Sequence, residues 1–133
     1  MRIINLISSK SVQIDADVKS KEEMLDYAAN LMYSAGFVSD KEIFKEALKK
    51  RENQSTTAIG EGIAIPHAKS PSVKKAGIGA VLLKNEINYG AEDSSGSRLF
   101  FIIAAPEDGE STHLDALGKL STLLMEEEFT KKL

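Results

Sequence analysis

The sequence predicts an α/β domain: a mixed sheet of about four or five strands with helices on both faces. Three observations carry this. Two segments, around 21–35 and 40–50, repeat apolar residues at helical spacing behind residues suited to cap a helix. Short apolar runs bounded by glycine and proline follow them, as strands do. The run Arg98-Leu99-Phe100-Phe101-Ile102-Ile103-Ala104-Ala105 is apolar at nearly every position, as a strand covered on both sides must be. Helices and strands that alternate along a chain stack as layers.

Taken in order, the apolar pieces 3–7 and 12–14, parted by Ser8-Ser9-Lys10-Ser11, carry no firm assignment, and the first fits a helical turn as well as a strand. Ser20-Lys21-Glu22-Glu23 is a capping box, and Met24, Leu25, Ala28, Leu31, Met32 and Ala35 form one helical face behind it. Gly36 supplies the stop. Ser39-Asp40-Lys41-Glu42 reads as a second capping box. Ile43, Phe44, Ala47 and Leu48 follow on one face, with Lys45, Lys49 and Lys50 on the other. This helix runs into Arg51-Glu52 and breaks over residues 53–57. Gly60-Glu61-Gly62-Ile63-Ala64-Ile65-Pro66-His67 comes next, then a predicted loop over 69–77. A strand is expected at 77–83, a short strand or turn at 87–90 and a polar loop at 92–97. The long apolar strand ends at Pro106. Ser111 or Thr112 caps a last helix with Leu114, Leu117, Leu120, Leu123 and Leu124 as its buried stripe. The chain is read as one domain, residues 1–133, with its C-terminal helix incomplete, as in a piece of a longer protein.

Composition narrows the function. With 133 residues there is room for one domain with its own core. A formal net charge of -3 argues neither for nucleic acid nor for an anionic membrane as a partner. The chain has no cysteine, which removes disulfides, thiolate metal sites and cysteine nucleophiles. No apolar run approaches the roughly 18 residues that span a bilayer, and Met1-Arg2-Ile3-Ile4-Asn5 opens no signal peptide. A cytoplasmic, soluble protein is the expectation.

Chemistry concentrates on the two histidines. Pro66 fixes its own backbone and donates no hydrogen bond, so a central strand cannot run through it, and His67 is expected at a sheet margin. His113 falls at the start of the last helix. Strand ends and helix starts are where sites gather in α/β sheets. Imidazole, with an ordinary pKa of about 6.5, is largely neutral and nucleophilic near pH 7. His67 is therefore the best candidate nucleophile. A phosphoryl group on it would need donors around charged oxygens. Ser55, Thr56 and Thr57, the amides near Gly60 and Gly62, the start of the last helix and an arginine are candidates. On pattern alone, two unrelated, partly exposed histidines explain the sequence somewhat better. Zinc held by the histidines and Asp115 is a weaker alternative, because no helical ligand spacing supports it. Gly60-x-Gly62 lacks the third glycine of a dinucleotide fingerprint, and no Gly-Lys-Ser/Thr follows it.

Arg51-Glu52, Ser55-Thr56-Thr57 and Gly60-Glu61-Gly62-Ile63-Ala64-Ile65-Pro66-His67, followed by Ala104-Ala105-Pro106 and Thr112-His113-Leu114, carry a resemblance over nearly the whole chain. The sequence resembles the phosphotransferase-system IIA domains of the fructose–mannitol family, and its wording is most like the fructose-specific members. The resemblance implies that His67 accepts a phosphoryl group from the phosphocarrier protein HPr. His67 would then pass the group to a cysteine of a IIB domain, which phosphorylates sugar entering through a membrane IIC component. It implies that His113 supports His67, that Arg51 offsets phosphoryl charge and that Glu61 lies in the same site. No metal or organic cofactor is implied, nor any nucleic acid or direct membrane insertion. Ala58 departs from the glycine many members carry there, which puts the local turn in question. A regulatory IIA-like module, whose phosphorylation controls binding to a target protein, is the alternative.

Overall fold

The computed structural model of the protein describes residues 7–60, 62–90 and 96–106. The expected last helix, its incomplete end, His113 and Glu61 lie outside these residues.

The first helix, α1 (Lys21–Ser34), begins at Ser20, whose hydroxyl accepts from Glu23 N at 3.1 Å. The Glu23 carboxylate reaches back one residue further than a standard capping box, accepting from Lys19 N at 3.1 Å. Gly36, with φ of +88°, turns the chain out of the helix. Gly36 N donates to Tyr33 O and Phe37 N to Met32 O, each at 3.1 Å, which is the bond pair of a Schellman stop.

The second helix, α2 (Lys41–Gln54), is capped one residue later than its sequence suggests. Asp40 accepts from Glu42 N at 3.0 Å and Ile43 N at 3.1 Å. Aspartate and serine cap about equally well, and here Ser39 has other work. Its hydroxyl donates to Ser72 O at 3.1 Å, tying the helix entrance to the loop beneath it. The helix also continues through Asn53 and Gln54, which the sequence placed in the break, and ends at Ser55.

Among the described residues, six strands form one mixed sheet, where four or five were expected. They are β1 (Ile7–Ala16), β2 (Ala58–Gly60), β3 (Ile63–Ala64), β4 (His67–Ser70), β5 (Gly77–Ile87) and β6 (Ser97–Pro106). Their order is β1-β5-β6-β3-β2, with β4 also paired to β6. β1 pairs parallel with β5, β5 antiparallel with β6, and β3 and β4 both parallel with β6. Two things raise the count. β1 is a strand although its outward residues mix serine, lysine and valine, which blurs the alternation. The chain also re-enters the sheet at once after Pro66. β3 and β4 lie in series along β6, and Pro66, unable to donate, still accepts from Ile103 N at 3.0 Å. Lys69 and Ser70 therefore belong to a strand and not to the predicted loop. β5 likewise runs on past 83 to Ile87, the first residue of the piece expected at 87–90, whose other residues lie outside the strand.

Alternation along β6 divides the core. Phe100, Ile102 and Ala104 join Val81, Leu83 and the buried residues of α1 and α2 in one cluster. Phe101 and Ile103 join Ile63, Ile65 and Ile78 in a second. Both described helices therefore cover one face, and the helix expected on the other lies outside the described residues. On the helix face, Gly77, Ala104 and Ala68 form a row of small residues across β5, β6 and β4. Phe37 fills the space above Gly77 so closely that a β-carbon there would meet its ring at 2.4 Å. The small row lets the helix layer come down onto β4, and α2 packs against that strand.

Candidate active site

His67 is the first residue of β4, immediately after Pro66. β4 borders the sheet beside β6, so the expected marginal position is observed even though the strand resumes there. The imidazole is half-buried, and its Nδ1 lies 2.8 Å from Ile65 O. A carbonyl oxygen only accepts, so Nδ1 carries the hydrogen in the neutral ring and donates it. The lone pair then sits on Nε2. Pro66 holds the two residues in this tight local loop.

A shallow pocket of about 260 Å³ adjoins the ring, lined by Ala47, Lys50, Arg51, Gln54, His67, Ala68 and Lys69. Three of these side chains are cationic and none is acidic. Ala47, Lys50, Arg51 and Gln54 recur at helical spacing, so α2 presents one stripe to β4. The pocket lies at the C-terminal end of α2, where backbone carbonyls leave a partial negative charge. The cations offset that charge and make the pocket suited to an anion.

Arg51 and His67 are thus brought together. The Arg51 guanidinium is anchored by Nη1, which donates to Ser55 O at 2.9 Å and to Ser55 Oγ at 3.4 Å. Ser55 is exposed beside it. The two threonines are placed differently. Thr56 Oγ1 donates to Tyr89 O at 3.0 Å and accepts from Ala58 N at 3.1 Å. Thr57 is buried, and its hydroxyl donates to Glu52 Oε1. Neither threonine lines the pocket. Ala58, the departure noted above, is a buried β2 residue opposite Ala64.

Lys50 and Gln54 carry no role in the sequence pattern, and Glu52 enters it only as part of the Arg51-Glu52 motif. In the sequence pattern Lys50 falls with Lys45 and Lys49 on the face opposite the apolar one. The stripe at 47, 50, 51 and 54 was the signal, because its alanine and its arginine lie on one line of the helix.

Residues 5–133 match the family described as "Phosphoenolpyruvate-dependent sugar phosphotransferase system, EIIA 2". The chain belongs to this family. The IIA domain is 42% identical over 133 residues, all of its length, to the "PTS system fructose-specific EIIABC component" of Bacillus subtilis, and spans 21% of that relative. It is 34% identical over 122 residues, 92% of its length, to the "PTS system fructose-specific EIIA component" of Haloferax volcanii, covering 79% of it. In three dimensions it is similar to the nitrogen regulatory protein IIA-Ntr from Neisseria meningitidis. The TM-score is 0.86 at 25% identity, over 96% of this chain and 86% of that one. Among the described residues of the IIA domain, no helix is long and apolar enough to cross a membrane. Domains of this family are components of a phosphotransferase.

Proposed function

We propose that this IIA domain relays a phosphoryl group through Nε2 of His67, within a sugar phosphotransferase system of the fructose type. The observation that carries the reading is the bond from Nδ1 to Ile65 O beside a pocket lined by Lys50, Arg51 and Lys69. It leaves a free lone pair on Nε2 and surrounds it with positive charge.

The donor is a phosphohistidine of HPr. Nε2 of His67 attacks phosphorus, the donor's P–N bond breaks, and its electron pair returns to the donor imidazole. The His67 ring gains positive charge as the new P–N bond forms. Ile65 O, accepting from Nδ1–H, stabilises that charge through a stronger hydrogen bond. Arg51, held by Ser55, faces the phosphoryl oxygens, with Lys50 and Lys69 adding longer-range attraction. In the second half, the thiolate of a IIB domain attacks phosphorus and His67 is the leaving group, returning as the neutral Nδ1–H imidazole. His113 and Glu61 complete the site in this reading, with His113 supporting the ring or the phosphoryl group. The EIIABC name of the Bacillus relative supports a IIB partner, and through it a IIC component.

The likeness to IIA-Ntr favours one second reading, in which phosphorylation of His67 controls binding to a target protein. A chase experiment separates the two. The domain is charged with phosphoenolpyruvate, enzyme I and HPr, then mixed with a fructose-type IIB domain, and intact mass is followed at neutral pH. The relay predicts one acid-labile phosphoryl group on the wild type, its rapid loss to IIB, and no acceptance by His67→Ala. Charging without discharge to any IIB domain supports the regulatory reading. Full acceptance by His67→Ala contradicts both.

A further inference from the structure

Glu52 sits beside Arg51 on α2, yet it points the opposite way, into the protein. Its side chain is 3% exposed. Four donors converge on its two oxygens. Oε2 accepts from Thr57 N at 3.2 Å and pairs with Lys21 Nζ at 3.1 Å. Oε1 accepts from Thr57 Oγ1 and from Tyr89 OH at 3.3 Å. A carboxylate accepts at both oxygens and so satisfies all four donors. A charge this deep costs a great deal of hydration, and it persists only where its partners are held in place. The partners come from the start of α1, the residue just before β2 and the segment after β5, so Glu52 joins three parts of the chain. Lys21 lies 4.8 Å from the centre of the Tyr89 ring, and Thr56 Oγ1 donates to Tyr89 O, which closes the cluster.

The cluster is connected to the reactive ring by a short path. Glu52 holds Thr57 by its N–H and its hydroxyl. Thr57 O accepts from Ile65 N at 3.0 Å. Ile65 O accepts from His67 Nδ1 at 2.8 Å. On its other side the same loop is held by Arg51 through Ser55 O. We infer that Glu52 is a positioning residue for His67: through Thr57 and Ile65 it holds the acceptor that keeps the imidazole hydrogen on Nδ1 and the lone pair on Nε2. This rests on the proposal that Nε2 of His67 accepts the phosphoryl group, but its first consequence, the tautomer, does not require any phosphorylation.

Glu52→Gln is nearly isosteric and replaces one acceptor oxygen with an NH₂ donor, which then faces another donor. Thr57→Val removes the hydroxyl and keeps the backbone, while Thr57→Ser restores the hydroxyl. Two measurements apply to the wild type and all three variants. Two-bond ¹H–¹⁵N spectra report the tautomer of His67, and rapid-quench mixing with phosphorylated HPr reports the rate of charging. Wild type and Thr57→Ser are expected to show the Nδ1–H form. Glu52→Gln and Thr57→Val are expected to gain the Nε2–H form and to charge roughly ten- to a hundredfold more slowly, as small misplacements do. Their half-saturating HPr concentration should be unchanged, since the pocket surface is intact. A folded Glu52→Gln or Thr57→Val protein with a wild-type tautomer overturns the inference. If Glu52→Gln does not fold, the contrast between Thr57→Val and Thr57→Ser decides. If the wild type fails to charge at all, the relay reading falls, and the tautomer comparison still decides the role of Glu52.

Discussion

Gly77 on β5 gives the most direct test of how the helix layer is set above the His67 strand. A β-carbon at this position would lie 2.4 Å from Cδ1 and Cγ of the Phe37 ring and 2.7 Å from Cδ2. Ordinary carbon contacts are about 3.5–4.0 Å, so the ring must retreat by roughly 1 Å. It has little freedom to do so. Phe37 is 4% exposed, its N–H belongs to the stop of α1, and its carbonyl accepts from Lys74 N at 2.8 Å. Overpacking of this kind costs about 1–3 kcal/mol. Replacing glycine by alanine within a strand returns roughly 0.5–1 kcal/mol of backbone entropy. Gly77→Ala should therefore lose about 1–2 kcal/mol net. At roughly 3–5 °C per kcal/mol for a domain of this size, its Tm falls by about 3–10 °C. Urea titration followed by circular dichroism measures the loss, and combining the change with Phe37→Leu should recover part of it as a coupling between the two sites. A Gly77→Ala protein as stable as the wild type would refute the packing argument. So would strict additivity with Phe37→Leu.

Two further predictions concern stability. Asp40→Ala removes the acceptor of two helix amides and should cost about 1 kcal/mol in urea titration, whereas Ser39→Ala, losing only the bond to Ser72 O, should cost less. Burial and the neighbouring Glu52 carboxylate hold the Tyr89 phenol above its ordinary value. A raised phenol favours its neutral form in the folded state, so its contribution is complete below about pH 10 and is lost as pH rises further. Wild-type stability should therefore fall above pH 10 by up to about 1.4 kcal/mol per pH unit from this residue. In Tyr89→Phe, that part of the slope is absent. Urea midpoints at several alkaline pH values check this, and a wild-type to mutant difference independent of pH would contradict it.

Much of the architecture was legible because local chemistry and packing agree there. Ser20 and Gly36 bound α1 for the reasons their types suggest, and the unbroken apolar run at Arg98 to Ala105 is the central β6. The proline before His67 marked the sheet margin correctly. It did not predict that β4 follows immediately, because the ladder continues through the Pro66 carbonyl, a group every residue has. β1 was obscured by the exposed Ser9 and Lys10 and by the buried Ser11, whose polar side chain breaks the apolar alternation. The choice of Asp40 over Ser39 depends on Ser72, which is distant in sequence. Within the site, pattern singled out His67 and the family resemblance singled out Arg51, and their meeting came from α2 settling on β4 over Ala68. Glu52 was the least legible. A glutamate near a helix end ordinarily faces water, and only the convergence of Lys21, Thr57 and Tyr89 from elsewhere in the chain accounts for its burial.

The central claim is that Nε2 of His67 takes the phosphoryl group while Nδ1 keeps its hydrogen on Ile65 O. Long-range ¹H–¹⁵N NMR on histidine-labelled protein, recorded before and after charging with phosphorylated HPr, tests it directly. Phosphorus is expected to couple to Nε2 of His67, with Nδ1 protonated in both states. Phosphorus on Nδ1, or on any other residue, would contradict it.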